Sequence, residues 1–334
     1  MLPALILFAL TYILMLMFGK YRPYIALASG IIFILTGMLP QGEVIGSLDF
    51  NVLLMIAGTM GLVALFIESK MPSLLAELIM ERVPNVQMAA VSLSLFAGVI
   101  SAFVDNVATV LMIAPVALEI CRKLKTNPVP FIIGIAVSSN LQGAATLVGD
   151  TTAIMLGSAL DMSFMDFFWY HGKPSIFFAV ELGAVLSALI LAFLFRREQA
   201  PIPKSETRTQ VTDYVPTVLL GGTILLLICA SFAPDAWNLP GEINGLICCG
   251  MLLVGIVAGC VRKRSAGAAL VSLKGIDFET LGLLLGLFSD DRRYQSPGCH
   301  RRRGGPAGED GRRQRVPALQ CDCMGVCADL CVHR

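Results

Sequence analysis

Long apolar stretches, separated by short polar segments, occupy the chain from its first residue to residue 288. Because a membrane helix needs about 20 predominantly apolar residues, we expect most of these stretches to cross a bilayer. The predicted spans are 2–18, 23–40, 50–68, 86–104, 107–120, 128–148, 173–195, 214–233 and 241–261, with a tenth that begins at 276 and breaks off after 288. A shorter amphipathic stretch, 71–83, is typical of a helix at the membrane surface. The pattern predicts an all-α polytopic membrane protein.

Two apolar stretches contain polar, asparagine-bearing interruptions, at residues 101–115 (SAFVDNVATVLMIAP) and 138–150 (SSNLQGAATLVGD), the second of which also contains glycines. The segment 86–120 is too interrupted for one span and too short for two, so we predict a re-entrant hairpin with Asp105 and Asn106 at its tip. Segment 128–160 is interpreted as a broken helix. Carboxylates and amides at that depth usually face a cavity or a transport path, and irregular backbone is tolerated there only inside protein or around water. Such breaks are typical of secondary transporters.

The basic residues predict an orientation, because they concentrate in cytoplasmic loops. They fall at Lys20, Arg22, Lys70, Arg82, Arg122, Lys123, Lys125, Arg196, Arg197, Lys204, Arg208, Arg262, Lys263, Arg264 and Lys274. With all of them inside, the N-terminus lies outside and the hairpin enters from the cytoplasmic side. The opposite loops, 41–49, 161–172 and 234–242, carry acidic residues, and Trp169, Tyr170 and Trp237 suit the outer interface.

A short internal repeat divides the chain. Asp49-Phe50 and Asp277-Phe278 each open the third helix of a half, and the charge pattern gives those helices opposite directions. We therefore predict inverted repeats, with a first repeat over 1–196, a cytoplasmic linker over 197–213 and a partial second repeat over 214–288. The alternative is that so short a match is a coincidence.

The tail from 289 to 334 differs abruptly from everything before it. Its Cys and His residues, from Cys321 to His333, have spacings that invite a metal-site interpretation. A frameshift after Phe288 fits better, since codons read one base later permit Leu-Ile-Ser-Ala-Phe-Ile-Asp at the end of the tail, a copy of the run that ends at Asp105. On that interpretation the tail as written is disordered, the second repeat is incomplete, and no transport is expected from this chain.

Composition agrees with a membrane protein. Of the 334 residues, 56% are hydrophobic and 15% charged, against about 25% charged in soluble proteins, and the net charge of +1 gives no reason to expect a nucleic-acid partner. His171 is the one histidine before the tail. The sequence contains no nucleophile beside a base, so no enzyme is predicted. No metal site is expected before the tail. The sequence also lacks a phosphate-binding loop that would indicate ATP-driven transport.

At the two interrupted segments the chain resembles the ion transporter superfamily, most closely arsenical-pump and sodium/proton antiporter permeases and, more distantly, dicarboxylate and citrate carriers. The resemblance covers residues 1–288. It implies two inverted repeats, each with a re-entrant hairpin and a broken helix, in a multi-pass protein of the plasma membrane. It implies alternating-access transport of a small ion of the anion, arsenite or dicarboxylate class. Alternatives are Na⁺/H⁺ antiport and an inactive fragment.

The same resemblance implies the site. The substrate- or ion-binding residues that it indicates are Asp105, Asn106, Thr109, Ser139, Asn140, Gly143, Thr146, Gly149 and Asp150. No cofactor is expected beyond Na⁺ or H⁺ as a coupling ion, the partners are the lipid bilayer and a small inorganic or carboxylate ion, and a homodimer is left open. The chain departs from the family pattern after the second motif, where Asp150 is followed by threonines instead of prolines.

Each of these residues also has a structural interpretation. Asn106 and Asn140 can offer amide groups to ions, but small polar residues also mediate helix packing in lipid. Gly143 and Gly149 let backbone approach an ion closely without a Cβ penalty. Asp105 is the best candidate to couple transport to H⁺ or Na⁺, and its alternative role is to cap the second arm of the hairpin.

Overall fold

The computed structural model describes residues 2–36, 48–124, 126–201, 209–233, 240–263 and 267–291. Its α-helices are α1 (Leu2–Met17), α2 (Arg22–Leu35), α3 (Phe50–Glu68), α4 (Met71–Met80), α5 (Val86–Ser101), α6 (Asn106–Leu124), α7 (Val129–Gly143), α8 (Thr151–Ala159), α9 (Ile176–Leu194), α10 (Val215–Ser231), α11 (Ile243–Lys263), α12 (Gly267–Gly275) and α13 (Phe278–Asp291). Short 3-10 helices cover Gly19–Tyr21 and Phe164–Phe167, and the two-residue strands β1 (Trp169–Tyr170) and β2 (Lys173–Pro174) form one hairpin.

Several sequence predictions fall on residues outside this description. They are Lys125, Lys204, Arg208, Trp237 and Arg264, the loop residues 37–47, the linker residues 202–208 and the tail 292–334. Helix α13 continues through Asp291, three residues into the predicted tail, and the predicted frameshift after Phe288 stays a prediction. Nothing at the backbone level ends a helix at that point, since neither Gly nor Pro occurs there.

The helices confirm an all-α polytopic membrane protein. Three of them, α3, α9 and α11, are long and apolar enough to cross a bilayer, and they match the predicted spans 50–68, 173–195 and 241–261. Helices α1 and α2 turn by 118° at a short break and are joined by a hydrogen bond of 2.7 Å between Thr11 Oγ1 and Ser29 Oγ. Helices α5, α7 and α10 are apolar but shorter than the spans predicted for them, 86–104, 128–148 and 214–233, whereas α6 is longer than the predicted 107–120.

Helix α3 is the central element of the described fold. It packs against α8, α10, α11 and α12. Its residues Val52, Met55 and Ile56 are at most 1% exposed, in a core that includes Phe164 and Phe167. Because neighbouring helices cover α3 on several sides, none of its faces needs to be polar.

The two repeated aspartates have the same local role. Asp49 caps α3, with its Oδ1 accepting a hydrogen bond of 3.1 Å from the Val52 amide. Asp277 caps α13, where its Oδ1 accepts hydrogen bonds of 3.0 and 3.1 Å from the amides of Glu279 and Thr280. Both aspartates satisfy amides that a helix N-terminus leaves unpaired, so the Asp-Phe match marks an equivalent helix start in each half.

The match extends to the packing of these two helices. Nine positions after each aspartate stands a glycine, Gly58 in α3 and Gly286 in α13. A Cβ on Gly58 would lie 2.6 Å from the carbonyl carbon of Cys248 in α11, and one on Gly286 would lie 2.8 Å from the Cβ of Ala26 in α2. The helix of the third predicted span in each half, α3 or α13, thus crosses the helix of the second predicted span in the other half through a glycine at the same offset. This reciprocal crossing supports inverted repeats, whose boundaries remain a prediction.

We expect Gly58→Ala to destabilise the protein. The added methyl would meet backbone atoms of Cys248 and Cys249 within 2.7 Å, and overpacking of this kind costs about 1–3 kcal/mol. Thermal unfolding in detergent should show a lower melting temperature. The matched control is Gly250→Ala in α11, where a new Cβ would meet nothing within 4 Å. Equal melting temperatures for the two variants would contradict the close α3–α11 crossing.

The C-terminal part of the linker, residues 209–213, contacts helices of both halves. The amide of Thr209 donates a hydrogen bond of 2.8 Å to Glu77 of α4. Asp213 forms a salt bridge of 2.6 Å with Arg262 at the end of α11. The segment 209–213 therefore connects helix α4, at the predicted membrane surface, with the basic end of α11.

Helix α9 carries aromatic residues at one end and arginines at the other. The β1–β2 hairpin before it turns through His171 and Gly172, which both have positive φ, as a two-residue hairpin turn requires. The Trp169 and Phe178 rings lie 6.0 Å apart at this end, and Arg196 stacks 4.3 Å above the Phe193 ring at the other. Aromatic belts and cytoplasmic basic residues are typical of the two ends of a membrane span, so this arrangement agrees with the predicted orientation.

Candidate functional site

The tip of the 86–120 segment is a tight turn between two helices. Helix α5 ends at Ser101 and α6 begins at Asn106. Asp105 stands immediately before α6, and its Oδ2 accepts a hydrogen bond of 3.0 Å from the Ala108 amide. The structural interpretation of Asp105 as a helix cap therefore holds. A cap presents a carboxylate at a helix N-terminus, which does not prevent it from also facing an ion.

The second interruption is a seven-residue break between α7 and α8, from residue 144 to residue 150. Thr146 lies in this break, is fully buried, and donates a hydrogen bond from Oγ1 to the Ala102 carbonyl at the hairpin tip. Asp150 precedes α8 and accepts hydrogen bonds from the hydroxyls of Thr151 and Thr152, at 3.3 and 2.9 Å. The tip and the break therefore form one contact surface.

The two asparagines meet across this surface. Asn106 donates from Nδ2 to Oδ1 of Asn140, while its own Oδ1 accepts a hydrogen bond of 2.8 Å from the Val107 amide. The Ser139 hydroxyl donates to the Asn106 carbonyl at 3.1 Å. Asn140 remains exposed, so the pair joins the hairpin to α7 and still presents amide groups outward.

The glycines allow backbone carbonyl groups to converge. A Cβ on Gly149 would lie 2.7 Å from the carbonyl oxygens of both Ser101 and Ala102, and closer still to that of Gly143. A Cβ on Gly143 would lie 3.3 Å from the Ser101 hydroxyl and 3.6 Å from the Asp150 Cβ. Gly149 thus sits among three carbonyl oxygens from both interruptions, and only a residue without a side chain fits there.

Three buried polar atoms around this contact have no hydrogen-bond partner among the described residues. They are Ser101 Oγ, Thr109 Oγ1 and Gln142 Oε1, in side chains that are at most 1% exposed. Unpaired buried polar atoms are costly and call for an explanation such as a bound ion or water. Thr109 was predicted as a site residue. Ser101 and Gln142 were not, although both lie inside the two interrupted segments.

Asp105 and Asp150 line one cleft together with Gly149, Thr151 and α3. Helix α3 contributes Thr59, whose hydroxyl is bonded to the Met55 carbonyl at 2.8 Å. Sequence reasoning missed the contribution of α3, because a single threonine in an apolar helix carries no positional signal. The structure therefore brings all nine predicted residues to the hairpin tip, the adjacent end of α7 and the break.

The donor set favours cations bound by oxygen. Carboxylates, carbonyls and hydroxyls are the ligands of hard cations, whereas no group of three or more His, Cys, Asp or Glu residues that could hold a metal ion occurs in the described part of the chain. The amides of Asn106 and Asn140 add donors that an anion can use. The contact between the hairpin tip and the break thus carries both oxygen ligands and amide donors.

We expect the Asn106–Asn140 contact to couple the two interruptions energetically. Single changes to Ala and the double change should give a non-additive effect on the free energy of unfolding, with an interaction energy of about 0.5–3 kcal/mol. The control cycle pairs Asn106→Ala with Asn85→Ala. Asn85 caps the opposite end of α5, roughly 24 Å away along a 16-residue helix, so that pair should be additive. Additivity in both cycles would contradict the coupling.

Fold and site together define an all-α polytopic membrane protein in which a hairpin tip meets a broken helix. Residues 12–289 match the family model described as citrate transporter. The chain therefore belongs to the citrate transporter family, and its predicted membership of the ion transporter superfamily is confirmed.

Individual relatives agree with this assignment. The 46 kDa membrane protein of Mycobacterium leprae is 35% identical over 190 residues, which cover 56% of this chain and 42% of that protein. An uncharacterized transporter of Mycobacterium tuberculosis is 30% identical over 197 residues, 59% of this chain and 44% of the relative. The P protein of Homo sapiens is 29% identical over 154 residues, 46% of this chain and 18% of that protein. The chain spans less than half the length of each of these relatives.

Proposed function

We propose that this protein, with its second repeat completed in the corrected reading frame, works as an ion-coupled secondary transporter of a small carboxylate anion, with citrate as the first candidate. The observation that carries the proposal is the convergence of carbonyl oxygens at Gly149 beside Asp105, Asp150 and the exposed Asn140 amide. The family description supports the carboxylate class. Transport would follow an alternating-access cycle in a multi-pass protein of the plasma membrane, with the basic loops inside.

The charges of the site support coupling to a cation. Asp105 and Asp150 line one cleft, and its lining includes no basic residue among those the structure describes. An anion brought beside two carboxylates is repelled, because little water is present there to screen the charges. A bound Na⁺ or proton would offset one carboxylate and so raise the affinity for the anion. Cation and anion should therefore bind cooperatively.

The anion would use amide donors and a helix terminus. The Asn140 side chain points outward from α7, and α8 begins beside the cleft without a side-chain cap from Asp150. The N-terminus of α8 therefore offers unpaired amides and a partial positive charge that favour anions, whereas the Val107 and Ala108 amides of α6 are already bonded to Asn106 and Asp105. These groups attract carboxylates without a fixed cation, as a site that must release its substrate requires.

Na⁺/H⁺ antiport is the second candidate function, and one observation favours it. Two carboxylates face the same cleft without a basic partner among the described residues that line it, which suits a site where Na⁺ and protons compete. An antiporter would show Na⁺ and H⁺ competition without any requirement for an organic anion. Both candidate functions use the same cation site, and only the first of them also requires an organic anion.

Reconstituted vesicles distinguish these functions. We expect radiolabelled citrate to accumulate when a Na⁺ gradient or a pH gradient is imposed, and not without one. Sodium flux driven by a pH gradient in the absence of citrate would indicate antiport instead. Bound Na⁺ without flux of either ion would favour the third alternative, an inactive fragment of such a permease. Failure to bind Na⁺, protons or citrate would overturn the proposed function.

A further inference from the structure

Glu181 is a charged side chain inside a membrane span. It lies in α9, whose other 18 residues are uncharged and mostly apolar. The side chain is partly exposed, and no hydrogen bond or salt bridge reaches it from the described residues. Ionisable residues within spans are rare, costly and usually functional, so this carboxyl group needs an explanation that the proposed site does not yet include.

The packing of α9 on α7 places Glu181 at the depth of the candidate site. A Cβ on Gly134 would lie 3.0 Å from Leu191, and one on Gly183 would lie 3.4 Å from Leu141, so the two helices run antiparallel. Glu181 is two residues beyond Gly183, about 3 Å further along the helix axis. It is therefore level with the end of α7, where the break begins.

Among the residues that the structure describes, none offers a counter-charge to Glu181. Helix α9 packs on α5 and α7, and neither of those helices contains a titratable residue. The titratable groups of the preceding loop are Asp161, Asp166, Tyr170, His171 and Lys173. Asp166 is engaged with Ser163, and none of the five pairs with Glu181. An unpaired carboxylate in an apolar medium is very costly, whereas the protonated group has no charge to desolvate.

We propose that Glu181 is a proton-binding residue that stands in the membrane as a neutral carboxylic acid at the depth of the candidate site. Proton release from it would add a pH-dependent step to transport, and that second part rests on the proposed function. The competing arrangement has an ionised Glu181 extended towards the aromatic turn, since the residue is only about 7.5 Å along the helix from Ile176.

Carbodiimide modification of the full chain in lipid vesicles separates these arrangements. A protonated carboxyl group adds across the N=C bond of a carbodiimide and rearranges to a stable N-acylurea, with no leaving group. We expect dicyclohexylcarbodiimide, which partitions into lipid, to modify Glu181 at pH 7, where an ordinary glutamate with a pKa of about 4.3 is ionised. The modification should be read by peptide mass spectrometry and lost in Glu181→Gln.

Glu119 provides the matched control. It is an exposed carboxylate of α6 in a salt bridge of 2.7 Å with Lys123, so a water-soluble carbodiimide with an added amine should modify Glu119 and spare Glu181. Modification of Glu181 by the water-soluble reagent to the same extent as Glu119, or no modification by dicyclohexylcarbodiimide, would overturn the proposal. Because the wild-type chain is the test object, a misfolded variant cannot obscure this result.

A transport measurement tests the functional part. In vesicles, Glu181→Gln should flatten the pH profile of citrate uptake and leave Na⁺-dependent citrate binding intact, and an unchanged pH profile would overturn the role in transport. A chain that moves no citrate but carries the lipid-phase modification at Glu181 would count against the proposed function and still support proton binding at this residue.

Discussion

Gly149→Ala is expected to weaken cation binding at the candidate site strongly. The new methyl would lie 2.7 Å from the carbonyl oxygens of Ser101 and Ala102 and closer still to that of Gly143. All three neighbours are backbone atoms held between two helices, so no flexible side chain can move aside. The methyl would also occupy the point where these oxygens converge. We expect at least a tenfold loss of affinity for radiolabelled Na⁺, or about 1.4 kcal/mol, in equilibrium binding to the purified chain.

The control for this change is Gly221→Ala in α10, where a Cβ would meet nothing within 4 Å. It should bind Na⁺ like the wild type and should be as stable, because alanine has a higher helix propensity than glycine. Unchanged Na⁺ binding in a folded Gly149→Ala protein would show that the carbonyl groups at this point do not form the cation site.

Asp105→Asn has the second large expected effect. Asparagine caps helices about as well as aspartate, so the hydrogen bond from the Ala108 amide can persist while the charge is removed. The melting temperature should change little. If Asp105 binds the coupling ion, Na⁺ affinity should fall by roughly tenfold or more, as expected when a charged ligand is lost from a poorly solvated site. The titration should compare Na⁺ binding at several pH values.

Asp49→Asn is the matched control, because Asp49 caps α3 through a hydrogen bond of 3.1 Å in the same way. Its other oxygen accepts a hydrogen bond from the Ser158 hydroxyl; in the variant the asparagine NH2 takes that position and can donate to the same hydroxyl, which is both donor and acceptor. This variant should keep wild-type Na⁺ affinity. Equal losses in both variants would mean that Asp105 acts on binding only through helix capping.

Much of the site was visible in the sequence. The hairpin turn lies at Asp105 and Asn106, because an aspartate that can cap a helix follows an apolar run that ends in small residues. The break after Gly143 follows from a run of glycine, alanine and threonine inside an apolar segment. Polar residues at bilayer depth usually face a cavity or a transport path, or mediate helix packing. These residues could therefore be selected as candidate site residues from the sequence alone.

Contacts between segments that are distant in the chain could not be predicted from the sequence. The hydrogen bond from Thr146 to the Ala102 carbonyl and the carbonyl groups around Gly149 involve residues far apart in the chain. Gly58 and Gly286 have no local signal that distinguishes a crossing point from an ordinary glycine. Glu181 lies in a strongly apolar stretch, where one carboxylate barely alters the average hydropathy.

Helix lengths were also predicted imperfectly. Apolar content alone placed full spans at 86–104 and 128–148, whereas α5 and α7 end at Ser101 and Gly143. The predicted spans run past these residues because alanine, phenylalanine and valine in the turn and the break are apolar without being helical. Backbone conformation in such segments is decided by contacts with the other interruption, which a hydropathy window does not contain.

The dependence of citrate affinity on Na⁺ tests the account most directly. Calorimetric titration of the purified full chain with citrate, at low and at high Na⁺ and in a second series at lower pH, all at fixed ionic strength, measures the coupling between citrate and each cation. We predict that citrate binds at least tenfold more tightly at high Na⁺ or at lower pH, with reciprocal tightening of Na⁺, and that Asp105→Asn loses the Na⁺ dependence. Citrate binding that ignores both cations, or the same cation dependence in Asp105→Asn, would contradict a coupled site between the hairpin tip and the broken helix.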